Sequence, residues 1–207
     1  NLAAIEAAAG VTTGATVNVG LVAAAGDISG LAHTKFDTFT LAGADVVATL
    51  AAAQAVKITN SAANDVITVD DGDSSNLAAI EAAAGVTTGA TVNIQLAATA
   101  GDISAIGHTK FDTIDFGSAD VAAAVLTAAQ AAKVSNTNTS DVITVEAVSN
   151  AVFTTLVADI ADLTANATVT VQAASDLADI SGITDTNIDT IDFGSADVAA
   201  AVLTAAQ

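Results

Sequence analysis

The block DTIDFGSADVAAAVLTAAQ runs from Asp112 to Gln130 and returns letter for letter from Asp189 to Gln207. A looser copy, DTFTLAGADVVATLAAAQ, occupies Asp37 to Gln54, and NLAAIEAAAGVTTGATVN occupies both Asn1 to Asn18 and Asn76 to Asn93. Moving one copy onto the next takes 75 or 77 residues, so the chain is a tandem array. In an array each unit buries its apolar face against its neighbours and the protein grows in one dimension. Both ends of the sequence fall inside repeat blocks, and the chain is expected to be a window from a longer array.

Within the repeats the hydrophobic period alternates. NLAAIEAAAG (Asn1 to Gly10) predicts a short helix with Asn1 as N-cap, Leu2 and Ile5 on one face and Gly10 as the stop. ATVNV (Ala15 to Val19), FDTFTL (Phe36 to Leu41) and DVITV (Asp65 to Val69) alternate as strands. Val46, Leu50 and Ala53 recur at helical spacing, which predicts a helix from Ala44 to about Lys57 with Asp45 as its cap and Lys57 at the negative end of its dipole. In the third repeat Val152 to Leu163 keeps the first helix with larger residues, Phe153, Leu156 and Ile160.

The strand positions set the expected fold. Val17, Phe39, Ile67, Val92, Ile114, Ile143, Val169 and Ile191 follow one another at about 25 residues, the length of a leucine-rich-type coil. Connections of that length return the chain in the same direction, so neighbouring strands should pair in parallel. The expectation is an α/β or mostly β fold: a right-handed solenoid of about eight coils, with parallel sheet on one side and short helices and loops on the other. Its divisions would be a first repeat at 1–75, a second at 76–152 and a partial third at 153–207, stacked as one continuous solenoid.

Charge narrows the partners. With 23 acidic and 4 basic residues the chain carries a formal charge of -19, and all four basic residues are lysine. Such a surface repels nucleic-acid phosphates and anionic lipid headgroups. Apolar runs such as Val121 to Val134 are too short for a membrane span. Cysteine is absent, which removes disulfides and thiolate metal sites.

The most metal-like stretch is VDDGDSS, where Asp70, Asp71 and Asp73 stand around Gly72 and would offer hard oxygen ligands to Ca²⁺. Asp112 and Asp115, copied as Asp189 and Asp192, would line an outer strand face as a carboxylate ladder. His33 and His108 each sit in HTKFD, but the third repeat has Asp185 there, so the array does not depend on an imidazole. Threonines such as Thr168 and Thr170 suggest an ordered ladder, broken where Asn18 and Asn93 replace them. No P-loop, GxGxxG, HExxH or GxSxG pattern occurs, and the chain reads as a non-enzyme.

FxxFxL at Phe36, Phe39 and Leu41, with its copies at Phe111, Ile114, Phe116 and at Ile188, Ile191, Phe193, is similar to the LxxLxL core of leucine-rich repeats. With LTAAQAAKVSN (Leu126 to Asn136) and the two DVITV segments, the chain resembles the giant tandem-repeat proteins of bacterial cell surfaces. These are adhesins, S-layer-like proteins and extracellular filaments. The resemblance implies an extracellular or cell-surface structural segment that contacts copies of itself, often with Ca²⁺. The alternative it carries is an adhesin module that binds cell-surface glycan or protein on the solenoid face.

Overall fold

A computed structural model describes residues 1–8, 10–11, 14–31, 34–41, 45–86, 89–117, 120–159, 167–177, 179–181, 187–194, 198 and 201–203. They divide into two compact units, Asn1–Gln95 with Ile106–Asp112, and Leu96–Ala105 with Thr113–Gln207. The class is α/β, with parallel sheets and a few short helices.

The first unit contains α1 (Leu2–Ala7), β1 (Asn18–Leu21), β2 (Gly26–Asp27), β3 (Thr38–Leu41), β4 (Val47–Ala51), α2 (Ala52–Ala55), β5 (Ile58–Asn60), β6 (Val66–Gly72), α3 (Ser74–Ala82) and β7 (Thr91–Leu96). Its strands form two ladders, β1-β3-β5 and β2-β4-β6-β7. From β1 to β6 consecutive strands alternate between the two, so the chain returns to each ladder by way of the other, and β7 then follows β6 in the same ladder. Val19 pairs with Phe39 and Phe39 with Ile58, while Ala48 pairs with Gly26 and Ile67, all in parallel.

The second unit contains β8 (Gly101–Asp102), β9 (Thr113–Asp115), β10 (Ala124–Thr127), α4 (Ala128–Ala131), β11 (Val134–Asn136), β12 (Val142–Val148), α5 (Asn150–Asp159), β13 (Thr168–Ala173) and β14 (Thr190–Asp192). β8, β10, β12, β13 and β14 follow one another in one parallel ladder, and β9 pairs with β11.

Seven of the eight expected strand positions lie in strands, and Val17 falls one residue before β1. The spacing between partners is different from the expected one. Phe39 pairs with Ile58, where a uniform 25-residue coil would have brought in Ile67. Turns without a helical insertion are about 20 residues long, as from Val19 to Phe39, and the one that carries α5 is longer, from Val145 to Val171. The steps between partners are therefore unequal, where a uniform coil was expected.

Where a helix was expected over 44–57, Val47–Ala51 form strand β4, and Ala44 lies outside the described residues. Val46, Ala48 and Leu50 are buried at alternate positions, and β4 pairs with Val66 through Asp70 of β6. Val46 and Leu50 fit a period of two as well as a helical one, Ala53 is exposed, and ladder bonds to a neighbouring strand decide between the readings. Only Ala52–Ala55 remain helical, and Gln54 closes that turn by accepting the Ala51 N–H at 2.8 Å. Asp45 precedes the strand with a positive φ of 37°, and Lys57 donates its Nζ to the Phe36 carbonyl at 2.7 Å. Helices do form at the other expected places, although Ile160 and the rest of 160–163 lie outside the described residues.

Inward side chains stack along the ladders. Val19, Phe39 and Ile58 make one buried row, and Leu126, Val145 and Val171 make another. The Phe36 and Phe39 rings meet edge to face with centroids 5.9 Å apart. Truncating a buried phenylalanine of this kind to alanine costs about 3–5 kcal/mol. No helix among the described residues is long and apolar enough to cross a membrane.

Candidate functional site

A strand start in a parallel stack brings the first N–H of one turn next to the first residues of the following turn. The sequence places an aspartate there repeatedly. Asp37 accepts the Val17 N–H at 2.6 Å and returns its own N–H to the Val17 carbonyl at 2.9 Å. Asp112 does the same with Val92, at 2.8 Å in both directions, and Asp189 with Val169, at 2.8 and 2.9 Å. The carboxylates expected as an outward ladder at Asp112 and Asp189 are thus brackets that tie one turn to the preceding one. Their companions do not stack on other carboxylates: Asp115 lies beside Asn136 in the β9-β11 ladder, and Asp192 beside Gln172.

A second pair of brackets is buried. Asp65 is 1 % exposed and accepts the N–H groups of Val46 at 2.9 Å and Ala62 at 2.6 Å. Asp141 is fully buried and accepts from Val121 at 2.8 Å and from Asn138. Each carboxylate closes its own tight turn with one oxygen and holds the neighbouring turn with the other. A buried N–H left without its acceptor costs about 1–3 kcal/mol. Hydrophobic alternation marks these two residues only as strand starts. Their recurrence as the first letter of both DVITV segments was the available signal.

Buried glutamines repeat the device from a helix. Gln54 donates its amide to the Ile28 carbonyl at 2.9 Å, and Gln130 to the Ile103 carbonyl at 2.7 Å. Gln130 and Thr127 also cap each other reciprocally, a capping box on a single helical turn. Three lysines staple turns in the same way, Lys35 to the Ala8 carbonyl, Lys57 to Phe36 and Lys110 to Ala83.

The HTKFD segments serve this packing. Thr109 donates its hydroxyl and N–H to Glu81 Oε1, and Thr34 donates its hydroxyl to Glu6 Oε1 at 2.9 Å. His108 is half-buried, whereas His33 and Asp185 lie outside the described residues.

Asp70, Asp71 and Asp73 are not drawn together. Asp73 is the N-cap of α3, where its Oδ1 accepts from the Ser75 N–H at 2.8 Å, the Ser75 hydroxyl at 2.6 Å and the Asn76 N–H at 3.0 Å. The Ser75 hydroxyl holds the Asp73 carboxyl below its ordinary pKa. Asp71 has a left-handed backbone at φ 58°, and Asp70 accepts the Asp71 N–H at 3.1 Å. Gly72 is buried and needed for close approach, since a Cβ there would lie 2.7 Å from the Ile94 side chain. Among the described residues no three His, Asp or Glu side chains are gathered as a cation would require.

The DIS triplets form a further repeated motif. Asp27, Asp102 and Asp179 each accept the hydroxyl and the N–H of the serine two residues on, Ser29, Ser104 and Ser181, at 2.7–3.0 Å. Those hydroxyls, and then those N–H groups, hold the three carboxyls below their ordinary pKa. The intervening Ile28, Ile103 and Ile180 are buried, so each triplet is a turn with an apolar anchor.

No family model matches this chain, and no curated protein or solved structure matches it.

Proposed function

We propose that the chain is a structural segment of an extracellular bacterial filament, surface layer or adhesin stalk, a solenoid that assembles through repeat-to-repeat contacts and catalyses nothing. The observation that carries this reading is the repeated bracket. Asp37, Asp112 and Asp189 hold the preceding turn by the same two bonds, and Asp65 and Asp141 repeat a second hold. Polar side chains that a binding or catalytic site would present are here committed to joining one turn to the next. Glycan recognition usually draws on exposed aromatic rings, and five of the six phenylalanines are buried in the core.

Electron microscopy of the purified chain, with Ca²⁺ and then with excess chelator, tests the reading. Regular fibres or sheets are the expected result, and separate particles under both conditions overturn it. Loss of fibres on chelation would show that a divalent cation bridges the copies.

A further inference from the structure

Two stretches of identical sequence have different surroundings. Asn1–Asn18 and Asn76–Asn93 share every letter, and in the second copy Leu77, Ile80, Gly85, Val86, Ala90 and Val92 are all buried. Their counterparts Leu2, Ile5, Gly10, Val11, Ala15 and Val17 are half-buried or exposed. Ile80 is fully buried, whereas Ile5 is 39 % exposed, and nearby Val22 is 69 % exposed. Between α1 and the β1-β2 region lies an open groove of about 560 Å³, lined by Leu2, Leu21, Val22, Ala25, Ile28 and Leu31.

The second copy shows what covers such a face. A Cβ on Gly85 would lie 2.0 Å from the Ile58 carbonyl oxygen, so Gly85 rests directly on the backbone of β5, and Gly89 lies against Ala63. The equivalent Gly10 and Gly14 have nothing within 4 Å of the same point. α3 packs on α2, and the β7 strand pairs with β6. β1, the counterpart of β7, is the outer strand of its ladder among the described residues and offers its edge to a further strand.

We infer that the face formed by α1, Gly10, Gly14 and the outer edge of β1 is a docking site for one occupant, a turn of the α2-β5-β6 kind (Ala52 to Gly72) supplied by another repeat. The incoming turn lays its β5-like backbone against Gly10, its β6-like strand along β1, and its helical turn over Leu2 and Ile5. Recognition is by strand addition, with main-chain bonds for affinity and the alternate apolar side chains for register. This rests on the repeat-to-repeat reading proposed above and specifies which end accepts and what it accepts.

The test adds the sequence Ala52 to Ser75 ahead of Asn1, which recreates the Ser75–Asn76 junction, and supplies the same sequence in trans as a synthetic peptide to the unextended chain. Amide exchange at Asn18 to Leu21 is expected to slow at least tenfold in the extended chain, and also in the unextended chain on peptide addition. Gly10→Leu points into open space in the chain alone, so it should leave the unfolding midpoint of the unextended chain unchanged and abolish both protections. Ile5→Asp is the second variant, expected to weaken peptide binding at least tenfold. Unchanged exchange in the extended chain, or peptide binding that survives Gly10→Leu, overturns the inference. Fibres that form while the peptide fails to protect β1 would leave the structural role standing and remove this docking mode. Protection without fibres would do the reverse.

Discussion

Three serines shape how the repeated DIS turns respond to acid. Ser29, Ser104 and Ser181 stabilise the ionised forms of Asp27, Asp102 and Asp179, whose carboxyls are held below their ordinary pKa by those contacts. A carboxylate favoured by the fold contributes stability above the unfolded value of about 3.9, and the contribution disappears as pH falls through the folded values. The Ser29→Ala, Ser104→Ala, Ser181→Ala triple variant is therefore expected to unfold at lower temperature than the parent at pH 7. The gap should begin to narrow near pH 4 and close as pH falls below the lowered folded values. Thermal unfolding followed by circular dichroism from pH 7 to pH 2.5 checks this, and a gap that stays constant with pH would show that the serines act by something other than the carboxylate charge. In the sequence these turns show only as the recurring letters DIS, because a side chain that bonds two residues ahead leaves no mark in hydrophobic periodicity. Asp65 and Asp141 were harder still, since the N–H groups they hold at Val46 and Val121 lie a whole turn of chain away.

At the level of elements, one helix sequence occurs in two environments and separates propensity from packing. α1 and α3 contain the same LAAIEA, but α3 has the Asp73 cap, is longer, and buries Leu77 and Ile80. Most helical stability in proteins comes from tertiary packing of a buried face, and α1 has little of it. Ile80→Ala is expected to cost about 2–5 kcal/mol, as for a fully buried isoleucine, and Ile5→Ala less than about 1 kcal/mol on the scale of surface changes. Urea unfolding of the two variants compares them, and equal losses would mean that α1 is as well packed as α3. Strands and parallel pairing were legible because DVITV and FDTFTL alternate cleanly. β4 was not, since Val46 and Leu50 satisfy a period of two and a period near four at once. The pairing step was misread for a related reason: α5 lengthens one turn, and only the registers of the ladders show that its neighbours are shorter.

For the molecule as a whole, charge is the main opponent of the assembly proposed above. The chain carries -19, and Lys35, Lys57 and Lys110 direct their ammonium groups to carbonyls of neighbouring turns. The proposed incoming turn brings Asp70 and Asp71, and the face that receives it carries Glu6. Bringing the two together gathers like charge, while the apolar contacts and strand bonds that favour docking change little with simple salt. Screening shortens from about 10 Å at 0.1 M to about 3 Å at 1 M ionic strength, so repulsion between exposed carboxylates fades over that range. The assembled fraction measured by sedimentation is accordingly expected to rise as NaCl goes from about 0.1 to about 1 M, with the pH held at 7. A fraction that falls with salt would mean that attraction between opposite charges holds the copies together. The few lysines of the chain, three of them engaged with backbone carbonyls, are poorly placed to supply such an attraction.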